Sequence, residues 1–254
     1  MTQEDMMMKD MLIRTGNDDS IVGPASKFEA HTFSDETPRG AVHRAFSVFL
    51  FNSNNEMLIT KRASTKITFP NVWTNACCSH PLYSQTPEEV DQNSPQDIAS
   101  RSGKIESSGA KHAAIRKLDH ELGVVPGSVP HSSFRFLTRF HYWASDTVTY
   151  GAEAPWGEHE IDYILFSRQQ GDVPLTLNPE EVGEVMWVDQ AKLRSMFEEK
   201  DLLWSPWFQG IMKLKGWEFW DNLDAIIEGK SEGCKDTEIH YFDPPEEFFA
   251  RYNK

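Results

Sequence analysis

The sequence predicts a single α+β sandwich, and three observations lead to that fold class. Two short apolar runs surround an Asn/Ser cluster early in the chain, one strongly periodic helical stretch follows, and more strand-like and helical segments complete the sequence. Strands followed by helices, with no internal repeat, are typical of a sheet covered by helices. A chain of 254 residues is long enough to bury one large core.

The first predicted element is a β-hairpin. Residues 45–51 are a β-rich apolar run, residues 52–55 are Asn and Ser, and residues 57–60 form a second apolar run. Two such runs around turn-forming residues indicate paired strands. Residues 1–26 are polar and Met-rich without a clear period, so we expect an N-terminal arm there and a single catalytic domain over residues 27–254.

A helix is predicted from Ala110 to Leu122, where alanine and leucine recur at steps of three and four residues. Gly123 follows as a C-terminal stop. The preceding segment, residues 84–109, is rich in Gln, Ser, Pro and acidic residues, which predicts an exposed insertion. Candidate functional residues lie on both sides of this insertion, so it is not a domain boundary.

The second half of the chain predicts further strands and C-terminal helices. Strands are expected at residues 134–140, 161–167 and 185–188, and a helix at residues 190–199. The last helix is predicted over residues 207–227, which are rich in aromatic and aliphatic side chains. This order of elements completes the predicted sandwich.

The composition excludes several classes of partner. Asp and Glu outnumber Lys and Arg by 39 to 25, a net charge of −14, whereas binding to a nucleic-acid backbone or an anionic membrane needs clustered cations. No apolar run has the length of a membrane span. The cysteines Cys77, Cys78 and Cys234 include an adjacent pair and are odd in number, which favours reduced thiols. We therefore expect a cytoplasmic protein without a nucleic-acid partner or a membrane span.

The segment at residues 156–162 predicts a group of acidic side chains. Glu158 and Glu160 are two residues apart in a predicted strand, so they share one face, and His159 lies on the other. Two adjacent carboxylates repel each other unless a cation or a shared proton lies between them. Together with the histidines elsewhere in the chain, they are suitable ligands for Zn²⁺, Mn²⁺ or Fe²⁺.

The adjacent cysteines are predicted to differ. Cys78 stands two residues before His80 in a polar stretch, where a nearby cation makes a thiol a better proton donor. Cys77 is interpreted as a small buried apolar residue, which free cysteine usually is.

The predicted helix resembles an altered Nudix box, the helix with which that superfamily binds diphosphates through divalent metals. The matching positions are Arg116, Glu121 and Gly123. The positions of the box glycine and of the other acidic residues are occupied by Ser102, Ser108, Lys117 and His120. Because hydrolysis of a diphosphate needs several metal-binding carboxylates, the scaffold resembles a Nudix fold without the hydrolytic chemistry.

The sequence as a whole resembles the type 1 isopentenyl-diphosphate isomerases, from about residue 27 to about residue 207. The residues that carry the resemblance are Thr74-Asn75-Ala76-Cys77-Cys78-Ser79-His80-Pro81 and Trp156-Gly157-Glu158-His159-Glu160. The resemblance implies a Nudix-like α/β/α sandwich with a mixed sheet. It also implies conversion of isopentenyl to dimethylallyl diphosphate, through a tertiary carbocation, in isoprenoid (sterol precursor) biosynthesis.

The resemblance also implies roles for individual residues. The implied catalytic residues are Cys78, Glu160, Tyr142 and Trp207, of which Tyr142 matches across a difference in loop length. The implied ligands of one divalent metal, Zn²⁺, Mn²⁺ or Fe²⁺, are His31, His43, His80, Glu158 and Glu160. Glu121 is implied to hold a Mg²⁺ that bridges to the substrate diphosphate, and the implied substrate-binding cations are Lys27, Arg62 and Lys66.

The implied chemistry needs an acid and a base on opposite faces of an alkene, and Cys78 and Glu160 can supply them in either order. The expected partner is a small isoprenoid diphosphate, and the expected assembly is a monomer or a weak homo-oligomer. Two alternatives stay open: a Nudix hydrolase acting on a nucleoside diphosphate derivative, and an inactive metal-binding scaffold that binds partners through the insertion.

Overall fold

A computed structural model describes residues 3–92, 107–230 and 236–253. The strands are β1 (Met11–Thr15), β2 (Ile21–Ser26), β3 (His43–Phe51), β4 (Met57–Arg62), β5 (Trp73–Asn75), β6 (Cys77–Ser79), β7 (Arg135–Ser145), β8 (Gly157–Arg168), β9 (Val182–Val188) and β10 (Ile239–Tyr241). The α-helices are α1 (Gln3–Lys9), α2 (Lys27–His31), α3 (Ser108–Leu122), α4 (Thr147–Tyr150), α5 (Gln190–Glu198), α6 (Pro206–Ile211), α7 (Trp217–Asp221) and α8 (Leu223–Ile227).

Strand β3 is the centre of one mixed sheet. It pairs in parallel with β8 on one side, and on the other side it pairs antiparallel with β1, β6 and β4. Strand β8 continues antiparallel to β7, and β7 pairs in parallel with β10. The predicted α+β class, with a mixed sheet, is confirmed.

The two faces of this sheet bury two separate cores. On one face, residues such as Phe49 and Phe166 pack against the C-terminal helices, including Phe208 of α6. On the other face, residues such as Val48 and Leu165 pack against helix α3. Helices therefore cover both faces, as expected for a sandwich.

Local sequence signals located most of the regular elements. The predicted hairpin is formed by β3 and β4, which pair at Phe51 and Met57. The predicted helix is α3, and Gly123 ends it with a left-handed φ of 63°. The aromatic stretch at residues 207–227 is not one helix: a π-helical turn at Met212–Gly216 and the non-helical backbone of Asn222 divide it.

The N-terminal arm is folded onto the sheet. Helix α1 buries Met6 and Met7, and β1 and β2 form a hairpin at the edge of the sheet next to β3. Strand β1 starts with three consecutive apolar residues and β2 contains Gly23 and Pro24, so neither shows the apolar–polar alternation that predicts a strand. No helix among residues 3–92, 107–230 and 236–253 combines the length and the apolar character that a bilayer crossing requires.

The predicted insertion at residues 84–109 is anchored at both ends. Glu89 and Val90 near its start are buried, and so is Ser107 near its end. Glu89 accepts two hydrogen bonds from the Arg116 guanidinium, at 2.6 and 2.9 Å, which ties this segment to α3. Residues 84–88 are exposed, whereas Glu89, Val90 and Ser107 are buried, and residues 93–106, like Cys234, lie outside the described residues.

Candidate active site

Three histidines and one glutamate meet at one end of β3, and we call them the histidine cluster: His31, His43, His80 and Glu158. His31 ends α2, His43 begins β3 and His80 follows β6. Glu158 comes from β8, whose register sets Glu160 opposite His43. The imidazole centroids lie 4.8 to 4.9 Å apart.

The donor atoms of the histidine cluster are arranged as a metal site would need them. Nδ1 of His31 lies 2.7 Å from the Lys27 carbonyl oxygen and Nδ1 of His43 lies 2.8 Å from that of Ala41, which fixes each Nε2 as the free nitrogen. Nε2 of both residues and Oε2 of Glu158 are buried without a hydrogen-bond donor among the described residues, and Nε2 of His31 lies only 2.8 Å from Oε2 of Glu158. Buried polar atoms rarely lack a hydrogen-bond partner in folded proteins. A divalent metal bound by all of these atoms would satisfy them together.

The two carboxylates of β8 differ in their surroundings. Burial alone would raise the pKa of Glu158, but the adjacent His31 and His43 outweigh burial and hold that pKa at about 2. Burial and then the charge of Glu158 raise the pKa of Glu160 well above its usual range. Oε1 of Glu160 lies 2.8 Å from Nε2 of His80, and Oε2 accepts a 2.5 Å hydrogen bond from the Tyr142 hydroxyl.

Cys78 contacts Trp207 on the same face of the sheet. Its Sγ lies 3.0 Å from the indole Nε1 of Trp207, and its thiol donates to Oδ1 of Asn75 at 3.1 Å. Burial raises the pKa of Cys78 to about 12, which keeps the thiol protonated. Trp207 Nε1 also lies 2.9 Å from Oγ1 of Thr74, which holds the indole edge in place.

Strand alternation separates the two adjacent cysteines. Cys78 pairs with Ser47 and Cys77 with Val48, so their side chains project to opposite faces. Cys77 packs in the core beneath α3 and is 1% exposed. The interpretation of Cys77 as a small buried apolar residue is confirmed.

A group of lysines and one arginine lines the other part of the pocket, and we call Lys27, Arg62, Lys66 and Lys117 the cation end. Nζ of Lys66 lies 2.6 Å from Oε2 of Glu181, and Nζ of Lys117 lies 3.0 Å from Oε1 of Glu121. Burial and then the charge of Arg62 lower the pKa of Lys66 to about 8. Two of these four cations therefore have a carboxylate within 3.0 Å, Glu181 beside Lys66 and Glu121 beside Lys117.

One pocket joins the two parts. Among the residues that line it are Lys27, Arg62, Lys66, Thr68, Cys78, Lys117, Glu121, Tyr142, Glu158, Glu160 and Trp207. His80 also lines the pocket, while His31 and His43 are fully buried behind it. The structure thus brings every sequence-predicted site residue to this pocket or directly behind it, and we call the part with Cys78, Tyr142, Glu160 and Trp207 the reaction end.

Sequence reasoning missed three residues of the site. Lys117 was noted only as a lost acidic position of the Nudix-like helix, although a cation in that position could have indicated an anion site. Glu181, which pairs with Lys66, carried no signal of its own. Thr68 donates to Oε1 of Glu158 at 3.3 Å and had no recognisable pattern.

Comparisons with known proteins agree with this geometry. The NUDIX domain family matches residues 41–208. Among curated relatives, isopentenyl-diphosphate delta-isomerase IDI1 of Gibberella zeae is 42% identical over 222 residues, which cover 87% of this chain and 80% of that protein. Isopentenyl-diphosphate delta-isomerase of Schizosaccharomyces pombe is 38% identical over 237 residues, covering 92% of this chain and 91% of that protein.

The fold also resembles that of a solved structure. A crystal structure of a Deinococcus radiodurans protein matches with a TM-score of 0.51 and 16% identity, over 80% of this chain and 98% of that one. At this level of identity the likeness concerns the fold alone.

Proposed function

This chain belongs to the Nudix superfamily and, within it, to the isopentenyl-diphosphate delta-isomerases, and we propose that the pocket carries out that isomerisation with the residues described above. The reaction adds a proton to the terminal alkene carbon of isopentenyl diphosphate and removes one from C2, giving dimethylallyl diphosphate. The positive charge between the two steps lies on the tertiary carbon C3. The site therefore has to supply an acid, a base and a surface that tolerates a carbocation.

The observation that carries the proposal is the position of Cys78 and Glu160 in one pocket. They come from β6 and β8, which flank β3 on its two sides, so a substrate between them has one group on each side. The Cys78 thiol and the Glu160 carboxyl form the acid–base pair. The hydroxyl of Tyr142 donates to Glu160 and fixes the orientation of its carboxyl group.

Trp207 stabilises the positive charge that develops on carbon. Its indole N–H is held by Thr74 and lies against Cys78 Sγ, so its position relative to the acid–base pair is fixed. The quadrupole of an indole face attracts a cation by about 0.5–2 kcal/mol. Tyr142, which is fully buried and lines the pocket, helps to keep water from the carbocation, which water would trap as an alcohol.

The histidine cluster, together with Glu160, would hold one divalent metal. Its orphaned nitrogens and carboxylate oxygen fit Zn²⁺, Mn²⁺ or Fe²⁺. When bound, such an ion supplies a fixed positive charge beside the two carboxylates of β8. Nε2 of His80 lies 2.8 Å from Oε1 of Glu160, close enough for both atoms to bind the same ion, and the Tyr142 hydroxyl donates to the other carboxylate oxygen.

The cation end binds the diphosphate. Lys27, Arg62, Lys66 and Lys117 line this part of the pocket, and phosphate oxygens would compensate their mutual repulsion. Glu121 is a hard oxygen ligand among these cations and would hold a Mg²⁺ shared with the diphosphate, since Mg²⁺ is usually bound by one or two carboxylates and substrate phosphates. The positive side chain of Lys117 beside Glu121 disfavours the multi-metal centre of a hydrolase.

We propose that the protein acts in the cytoplasm, as a monomer or a weak homo-oligomer without a nucleic-acid partner. The test of its activity is incubation of the metal-loaded protein with isopentenyl diphosphate and Mg²⁺ in D₂O, followed by NMR. The expected product is dimethylallyl diphosphate with deuterium in a methyl group. Release of phosphate or diphosphate would instead identify a hydrolase, and unchanged substrate with metal bound would identify an inactive scaffold.

A further inference from the structure

The loop between β4 and β5 contains a strained residue, Phe69, directly after Thr68, which lines the pocket. Phe69 has a φ of 48°, in the left-handed region that a bulky residue with a Cβ rarely adopts, and its side chain is fully buried. Such a conformation persists only where the surrounding structure imposes it, and it is common at functional sites. The contacts of Phe69 should therefore show which groups impose this conformation and which parts of the site depend on it.

Two side chains hold the backbone at this point. The Phe69 N–H donates to Oδ2 of Asp146 at 2.7 Å, and the Phe69 carbonyl accepts from Nε of Arg62 at 2.9 Å. Nη2 of Arg62 also donates to the carbonyl of Thr68 at 2.8 Å. Both peptide groups of the strained segment are thus fixed by buried or half-buried charged groups.

Asp146 is itself tied to the strands that carry the reaction end. It follows the last residue of β7, and its N–H donates to the Trp156 carbonyl at 2.9 Å, next to the start of β8. Its other carboxylate oxygen caps α4 by accepting from the Thr149 N–H at 3.2 Å. The Asp146 carboxyl therefore connects the Thr68–Phe69 segment to the strands of Tyr142, Glu158 and Glu160.

The Thr68–Phe69 segment contacts three parts of the site. The Thr68 hydroxyl donates to Oε1 of Glu158 in the histidine cluster at 3.3 Å. The Phe69 ring packs edge-to-face on Trp207, with centroids 5.5 Å apart and an angle of 89°. Arg62, which fixes the segment, belongs to the cation end and lies over the same indole, 5.6 Å from its centroid.

We propose that Asp146 is a positioning residue for the isomerisation, an inference that rests on the proposed function. It acts through the Thr68–Phe69 segment, in which the left-handed Phe69 supports the Trp207 indole and Thr68 supports the Glu158 carboxylate. Asp146 touches no reacting atom. Its contribution is to hold supporting groups in the geometry that the carbocation needs.

The variants Asp146→Ala and Asp146→Asn separate this role from simple stability. Asn keeps an oxygen that can accept from the Phe69 N–H, whereas Ala removes it. Asp189→Ala is the matched control, because Asp189 caps α5 by accepting from the Lys192 N–H at 2.7 Å and is exposed. The measurements are kcat, KM, melting temperature and the affinities for inorganic diphosphate and for a diphosphate ester with a tertiary ammonium in place of C3.

We expect Asp146→Ala to lower kcat by about 10- to 100-fold with little change in KM, since misplacement by an ångström can cost a factor of this size. It should weaken binding of the ammonium ester but not of inorganic diphosphate. Asp146→Asn should recover kcat to within about threefold of wild type, and Asp189→Ala should keep it despite a lower melting temperature.

Four results would overturn the proposal: unchanged kcat in Asp146→Ala, an equal loss in Asp189→Ala, no recovery in Asp146→Asn, or equal weakening of both ligands. Should Asp146→Ala fail to fold, Phe69→Leu keeps the backbone contacts and loses only the aromatic edge. The same split between the two ligands is then expected, and its absence overturns the proposal. Wild-type turnover is measured in the same assay, so its absence would overturn the isomerase function itself and not the positioning role alone.

Discussion

At the reaction end of the pocket, Cys78 and Glu160 are placed by strands that pair with β3, whereas the four cations of the cation end come from separate elements. Lys27 begins α2, Arg62 ends β4, Lys66 lies in a loop and Lys117 is on α3. The hydrogen-bonded register of β6 and β8 with β3 fixes the positions of Cys78 and Glu160, and no ion pair is needed for this. In the second group, ion pairs hold Lys66 to Glu181 and Lys117 to Glu121, and Arg62 donates to the backbone carbonyls of Thr68 and Phe69.

The two ends of the pocket also differ in their electrostatics. Burial keeps the Cys78 thiol protonated and raises the pKa of Glu160, and a divalent metal bound at Glu160 would favour the carboxylate form that the acid–base pair needs as its base. The cation end has an excess of positive charge, which contributes to the lowered pKa of Lys66. The acid–base pair is thus positioned by the folded chain itself, while a bound diphosphate would balance the positive charge of the cation end.

The largest effect is expected at the reaction end. Cys78→Ala should reduce kcat by about 10²–10⁴-fold or abolish turnover, because proton transfer loses its donor or acceptor, while KM changes little. Cys77→Ala is the matched control, since Cys77 faces the core beneath α3. Steady-state kinetics of both variants at equal metal content would test this, and near-normal activity of Cys78→Ala would remove the thiol from the mechanism.

A smaller effect, on KM instead of kcat, is expected at the cation end. Lys66→Ala should raise KM by about 10- to 100-fold with kcat nearly unchanged, since hydrogen bonds to charged groups contribute about 1.5–3 kcal/mol. The control is Lys61→Ala, because Lys61 forms only an exposed pair with Glu184. A fall in kcat without a change in KM would show that Lys66 belongs functionally to the reaction end.

The smallest effect concerns pH. The pKa of Lys66 is lowered to about 8 in the free protein, so Lys66 is charged below pH 8 and becomes neutral above it. KM should therefore rise by roughly tenfold between pH 7 and pH 9, because a tenfold loss of the charged form follows each pH unit above the pKa.

The control for this prediction is the Lys66→Ala variant, whose KM should stay flat over the same range and be approached by the wild type at high pH. A parallel rise in both proteins would assign the pH dependence to another group. Measurement of KM at constant ionic strength keeps changes in screening out of the comparison.

Lysine burial also predicts a direction for stability. The folded-state pKa of Lys66 lies below its ordinary value of 10.5, so between about pH 8 and 10.5 the unfolded chain binds more protons than the folded one. The contribution of this group to the free energy of unfolding therefore rises with pH across that window. The same burial that lowers stability near pH 7 leaves a cation ready for the diphosphate.

Periodic patterns in the sequence determined the parts of the molecule that local geometry controls. Alternation in β8 sets Glu158 and Glu160 on the pocket side and turns His159 to the other face, where its Nε2 lies 2.9 Å from that of His141. Three- and four-residue spacing predicted α3, and Gly123 its end. The family motifs indicated Cys78 as the reactive thiol. The alternation of side chains in β6, which turns Cys78 and Cys77 to opposite faces of the sheet, agrees with that assignment.

Tertiary structure alone decided which distant residues meet. His31, His43, His80 and Glu158 come together because α2 ends beside the start of β3 and because the β3–β8 register is fixed by pairing along nine residues of each strand. The strained Phe69 and its partner Asp146 lie 77 residues apart in sequence, and no local pattern links them. Side-chain periodicity is a property of one segment, whereas register, ion pairs and left-handed backbone depend on neighbours supplied by the rest of the chain.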